Sequence, residues 1–243
     1  MTTLGRRSFL ALGAVLVAGC SSTRSISGDG KGNRNGNGND NGNFPGEVIV
    51  GPRGGTVGSS RGAITSVAMV GDSITEGSAD AITSTLAGAG VDDLVIEGKR
   101  SRRIEVGNGK GELPLSGIIT VYNLLAEGVQ PDAWVMELGT NDVGSYSNAD
   151  EYGALIDKIT VMLPESTPLI WVNTFRKQYL DDTILFNTVL SGRIEARGNA
   201  AIADWFAVAS APDQNVLRGD GLHPNDTGQL ALSLLVLQAL QQL

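Results

Sequence analysis

From about residue 63 onward, short apolar runs alternate with stretches in which apolar residues recur every three or four positions. This is the pattern of strands alternating with helices. Runs at 64–70, 94–97, 133–138, 169–174 and 201–205 predict five strands, each short, apolar and rich in β-branched or aromatic residues. The clearest helix is predicted over 149–163. There Leu155, Ile156, Ile159, Met162 and Leu163 keep the spacing of one buried face, and Pro164 stops it. An earlier helix is expected near 78–86, and a last one over about 227–241 with its apolar side on Leu230, Leu234, Leu237 and Leu240. Strands that are apolar on both faces and separated by helices imply a parallel sheet covered on each side. Residues 47–243 therefore read as one three-layer α/β/α sandwich around a five-stranded parallel sheet. In such a sheet the site lies at the carboxyl ends of the strands.

The first 46 residues follow a different pattern. Arg6 and Arg7 precede an apolar run from Phe9 through Ala18, then Gly19 and Cys20, which reads as an export signal too short to span a bilayer. The order Leu16-Val17-Ala18-Gly19-Cys20 resembles a bacterial lipobox, which implies a lipidated Cys20. Gly5-Arg6-Arg7-Ser8-Phe9-Leu10 resembles a twin-arginine export signal. The expected location is thus the bacterial cell envelope, with the membrane reached through Cys20. Residues 21–46 have no apolar periodicity, and twelve of the sixteen positions from Gly28 to Asn43 are Gly or Asn. Such a stretch buries too little area to offset the entropy of ordering it, and reads as a tether. Its Gly-x-Gly spacings follow no strand, so they carry no phosphate-binding reading.

Composition narrows the chemistry. With 243 residues the chain can bury one full-sized core. One Cys forms no internal disulfide, and one Cys with one His builds no zinc site of the Cys/His type, so metal-free chemistry is expected. Beyond residue 46 there are 13 Lys and Arg against 24 Asp and Glu. A field of that sign repels phosphate backbones, which argues against nucleic acid as a partner.

Three predicted strand ends carry polar clusters. Gly71-Asp72-Ser73-Ile74-Thr75-Glu76-Gly77 follows the first strand, so Ser73 sits where strand turns to helix, a place that exposes a hydroxyl and turns backbone amides toward an anion. Helix capping by Asp72 and Ser73 accounts for the same residues. Gly139-Thr140-Asn141-Asp142 follows the third strand, and the Asn141 amide there suits an oxyanion donor, although Asn-Asp is also ordinary turn chemistry. Asp220-Gly221-Leu222-His223-Pro224-Asn225 precedes the last helix and holds the chain's one histidine. A carboxylate three residues before it can accept from Nδ1 and leave Nε2 to take a proton.

Together these blocks resemble the SGNH (GDSL-like) hydrolase family over nearly all of residues 63–240, in the family's order. The resemblance implies a flavodoxin-like sheet, Ser73 as nucleophile, His223 as general base and acid, and Asp220 as its orienter. It also implies an oxyanion hole from the Ser73 amide and Asn141, and no cofactor. One block departs from the family pattern. Where members have a Gly after the second strand, this chain has Glu97-Gly98-Lys99-Arg100-Ser101-Arg102-Arg103. Either Gly98 or Ser101 can supply that amide, and Arg102 after Ser101 resembles the Gly-Arg pair of some members. The four basic residues of this block can meet an anionic substrate, and a solvated turn explains them as well.

A rival serine, Ser60 in Gly58-Ser59-Ser60-Arg61-Gly62, matches a G-x-S-x-G string but follows a Gly-rich loop rather than a strand. Trp171-Val172-Asn173, Phe186-Asn187 and Ile202-Ala203-Asp204-Trp205 resemble SGNH domains of cell-envelope O-acetyltransferases, although strand packing explains both tryptophans. The expected activity is a serine esterase acting on short-chain, acetyl esters of small molecules or envelope glycans. The alternatives are an O-acetyltransferase using the same acyl-enzyme, or a non-catalytic envelope-binding module.

Overall fold

The computed structural model describes residues 48–50, as backbone, and 62–243. Cys20, the 21–46 stretch and Ser60 lie outside the described residues. The strands are β1 (Val48–Val50), β2 (Ser66–Gly71), β3 (Asp93–Gly98), β4 (Ala133–Glu137), β5 (Leu169–Val172) and β6 (Ala200–Ala203). The helices are α1 (Ser73–Gly88), α2 (Gly117–Ala126), α3 (Ala149–Thr160), α4 (Leu180–Arg197), α5 (Trp205–Ser210) and α6 (Asp226–Gln241).

All five expected strands form, each within a few residues of its predicted bounds, and they run parallel in the order β6-β5-β4-β2-β3. With the second parallel strand lying outside the first, this is the flavodoxin-like order. The sequence pattern did not anticipate β1, which pairs antiparallel with β6 through Ile49 and Ile202. Three residues are too few for a readable alternation. Trp205, taken as the end of a strand, instead opens α5 after the Asp204 cap.

Alternation along the strands divides the interior in two. Val67, Met69, Val135 and Ile170 face α1, α5 and α6. Ala68, Val70, Trp134, Met136 and Trp171 face α2, α3 and α4. Trp171 and Trp205 are fully buried, and Trp171 Nε1 donates to the Leu138 carbonyl at 3.0 Å, so packing accounts for both rings. The last helix buries only part of the face its leucines suggested: Leu240 is buried and Leu237 packs against the core. Leu230 and Leu234 are exposed, whereas Ala231, Leu232, Leu235, Val236 and Ala239 are buried. A mostly apolar helix offers several candidate stripes, and small residues at 231 and 239 let this one approach α1 and the sheet. Among the described residues no helix is long and apolar enough to cross a membrane.

Candidate active site

The sheet order reverses between β2 and β4, and the crevice outside their carboxyl ends is where ligands bind in open α/β sheets. Ser73 stands one residue beyond β2 as the first residue of α1, five residues earlier than the helix was expected to begin. Asp72 caps that helix, its Oδ1 accepting from the Ile74 amide at 2.9 Å. Capping therefore does occur, and it is carried by Asp72 while the Ser73 side chain stays available. Ser73 Oγ lies 2.9 Å from His223 Nε2.

His223 comes from the loop before α6, folded so that the Arg218 amide donates to the His223 carbonyl at 2.7 Å. Gly221 turns that loop at φ +68, a conformation glycine adopts without a Cβ clash. Asp220 Oδ2 lies 2.8 Å from His223 Nδ1, and its Oδ1 accepts from the amides of Leu222 and His223. The hydrogen bond with the His223 ring, then the His223 and Leu222 amides, lower the Asp220 carboxyl to about 2. Asp220 is thus anionic at neutral pH and fixes the imidazole with Nε2 toward Ser73.

Asn141, in the turn after β4, lines the same cleft of about 490 Å³ with Ser73, Ser101 and His223. Both N–H groups of its amide already have acceptors, Asp72 Oδ2 at 3.0 Å and the Arg102 carbonyl at 3.1 Å. The Ser73 and Ser101 amides have no acceptor among the described residues. Of the two residues suggested by the departing block, Ser101 lines the cleft, and its φ of +61 is the left-handed conformation that a glycine holds readily. Gly98 serves packing instead. A Cβ there would lie 2.4 Å from the Glu76 amide nitrogen, so its small size lets β3 approach α1.

Beneath the site lies a buried acidic pair that the sequence analysis overlooked. Glu137 ends β4 with its Oε2 accepting from the amides of Asp72 and Thr75 and from Thr75 Oγ1. Burial, then the neighbouring Asp72 charge, push Glu137 well above the usual carboxylate range. Burial likewise raises Asp72 to about 6, while the Ile74 amide and the Glu137 hydrogen bond oppose the rise. Both carboxyls are raised because two buried acids side by side resist carrying two charges at once. The available signal was a carboxylate ending an otherwise apolar strand, which is costly unless it is paired or protonated.

The basic block after β3 is not the uniform solvated turn that its composition suggested. Arg102 is buried, donating to the carbonyls of Gly71, Glu97 and Leu115. Arg103 pairs with buried Asp142 at 3.2 Å, and Lys99 with Glu76 at 3.8 Å. Among the described residues no group of three or more His, Cys, Asp or Glu is placed to hold a metal ion.

A family model described as the GDSL-like lipase/acylhydrolase family matches residues 69–231. Comparison with the curated proteins gives no match. Among solved structures, the C-terminal catalytic domain of Streptococcus pneumoniae peptidoglycan O-acetyltransferase A superposes with a TM-score of 0.57 at 19% identity, covering 74% of this chain and 95% of that one. A Clostridium thermocellum family 3 carbohydrate esterase gives 0.54 at 19% identity, covering 74% and 96%. An acetyl xylan esterase from Geobacillus stearothermophilus gives 0.51 at 16% identity, covering 74% and 94%. At these identities the likeness is one of fold.

Proposed function

The chain belongs to the GDSL-like lipase/acylhydrolase family, and from that premise we propose that it is a lipid-anchored serine esterase of the cell envelope that removes acetyl or other short acyl groups. One observation carries the catalytic part: the 2.9 Å contact of Ser73 Oγ with His223 Nε2, continued at 2.8 Å from Nδ1 to Asp220. His223 Nε2 takes the hydroxyl proton as Ser73 Oγ attacks the ester carbonyl. The Ser73 and Ser101 amides receive the developing oxyanion, and Asn141 joins them by giving up one of its resting acceptors. Collapse breaks the ester C–O bond, the alcohol leaves with the proton from His223, and acyl-Ser73 remains. Water, deprotonated by His223, then attacks the acyl carbon and releases the carboxylic acid with Ser73 restored.

An acyl acceptor other than water would turn the same acyl-enzyme into a transferase, and the fold likeness to an O-acetyltransferase domain keeps that second reading in view. The substrate class rests on the fold likeness to carbohydrate and xylan acetylesterases, and the anchor on the Cys20 lipobox.

The deciding experiment uses p-nitrophenyl acetate and a fluorophosphonate probe. The wild type should hydrolyse the ester and be labelled on the peptide containing Ser73, and Ser73→Ala should lose both at unchanged circular dichroism. Turnover retained in Ser73→Ala, or labelling at Ser60, would overturn the assignment. Released acetate should balance consumed p-nitrophenyl acetate with unacetylated xylan present as acceptor, whereas a deficit would favour transfer. Metabolic labelling with palmitate should mark the wild type and not Cys20→Ala, and equal labelling would remove the anchor.

A further inference from the structure

After the ion pairs and buried contacts are assigned, two guanidinium groups at the cleft are left without a carboxylate. In the block after β3, Lys99 is held by Glu76, Arg102 by backbone carbonyls, and Arg103 by Asp142. Arg100 is exposed, lines the cleft, and makes no ion pair among the described residues. Facing the same cleft from the loop before His223 is Arg218, which is also exposed and also has no carboxylate partner among the described residues. Its Nε donates to the Pro224 carbonyl at 2.9 Å, and one terminal nitrogen lies 3.8 Å from where a Cβ on Gly77 would stand, one turn of α1 beyond Ser73.

Of the acidic groups nearby, Glu76 lines the same cleft, and neither it nor Asp220 forms an ion pair with either arginine. Glu76 accepts from the Arg100 backbone amide with Oε2 and pairs with Lys99 through Oε1. Asp220 is engaged with His223 and two amides. A chain of net charge -8 has acidic residues to spare for two surface arginines. Both nevertheless present unfilled donors beside Ser73, one from the loop of Ser101 and one from the loop of His223. Guanidinium is the planar, five-donor group that matches carboxylate and phosphate oxygens.

We infer that the esterase substrate carries an anionic oxygen group, a carboxylate or a phosphate, on its alcohol portion, and that Arg100 and Arg218 select it. The inference rests on the esterase reading above. Binding requires the anion to reach these side chains in the cleft while the ester carbonyl reaches Ser73.

The test compares kcat/KM for 4-acetoxybenzoate, 4-acetoxyphenyl phosphate and the neutral methyl 4-acetoxybenzoate. Intrinsic reactivity differs among them, so the quantity read is how each anionic-to-neutral ratio changes between proteins. A charge-assisted hydrogen bond of this kind is worth about tenfold. Arg100→Gln and Arg218→Gln should therefore each lower the ratio by about three- to tenfold, mainly through KM. Arg100→Glu should lower it further, and 0.5 M salt should shrink the wild-type ratio. Arg218→Lys keeps the charge and should recover part of the ratio, which separates charge from the Pro224 contact. The larger loss among the two anions tells carboxylate from phosphate. Ratios that stay the same in Arg100→Gln, Arg100→Glu and Arg218→Gln would overturn the inference. Failure of the wild type to turn over any of the three esters would instead overturn the esterase reading.

Discussion

Asn141 reaches the cleft with both amide hydrogens already committed, to Asp72 and to the Arg102 carbonyl. An oxyanion can recruit that amide only by displacing one of these acceptors, so the gain in the transition state is a difference between two hydrogen bonds. Loss of an oxyanion donor typically costs about 10² to 10³ in rate, and a donor that trades partners belongs at the lower end. Asn141→Ala should therefore reduce kcat on p-nitrophenyl acetate by about 10² with a small change in KM, and a kcat within threefold of wild type would return Asn141 to a turn-forming role. At this scale Ser73, Asp220 and His223 were legible, because each block carries its chemistry in local spacing: a hydroxyl after a strand, and a carboxylate three residues before the one histidine. Arg218 was not legible. It stands in the same loop as His223, yet nothing in its neighbours tells a cleft-facing arginine from a solvated one, and only the tertiary positions of Glu76 and Asp220 leave it without a carboxylate partner among the described residues.

Among elements, the turn after β4 is tied to the loop after β3 by Asp142, whose carboxylate accepts from the Ile104 amide at 3.0 Å and from Arg103 at 3.2 Å. Burial raises Asp142 to about 6 against the Ile104 amide and the Arg103 charge, which pull it down. Between the ordinary carboxyl value near 4 and this raised value, the folded chain holds more protons than the unfolded one. Stability from this group therefore falls as pH rises through about 4 to 6, by roughly 3 kcal/mol, and then levels. Asp72 and Glu137, also raised, contribute with the same sign. Asp132 and Asp220 are lowered, so their contribution is lost only as pH falls below about 4. Asp142→Asn can still accept from Ile104 and no longer titrates. Urea unfolding at pH 4.5 and 7.5 should give a smaller drop in stability for the variant than for the wild type, and an equal drop would place the Asp142 proton elsewhere. The elements themselves were legible where a periodicity had length to express itself, as in α3, where Leu155, Ile156 and Ile159 share the buried face and the helix ends at Thr160, short of Met162 and Leu163. The face of α6 was misread in part, at Leu230 and Leu234, because its leucines outnumber one stripe, and only packing against α1 selects Ala231 and Ala239 over them.

For the whole molecule, the parallel sheet and its two covering layers follow from five apolar runs separated by helical stretches, and the site follows from where the strand order reverses. The short strand Val48–Val50 was invisible to that reasoning, since its meaning lies in its partner rather than in its own pattern. That partner, β6, would otherwise be a terminal strand with one row of amides and carbonyls unpaired. Such an open border is a template on which a second chain can add a strand. The antiparallel segment occupies the template from within the same chain, so its consequence is colloidal rather than catalytic: it keeps neighbouring copies from joining sheet to sheet, which matters most where many copies share one surface. A chain begun at residue 62 should keep the Ser73, Asp220 and His223 arrangement and its ester turnover. In sedimentation velocity it should self-associate with increasing concentration, whereas a chain begun at residue 47, which keeps Val48–Val50 and lacks Cys20, stays at a single sedimentation coefficient.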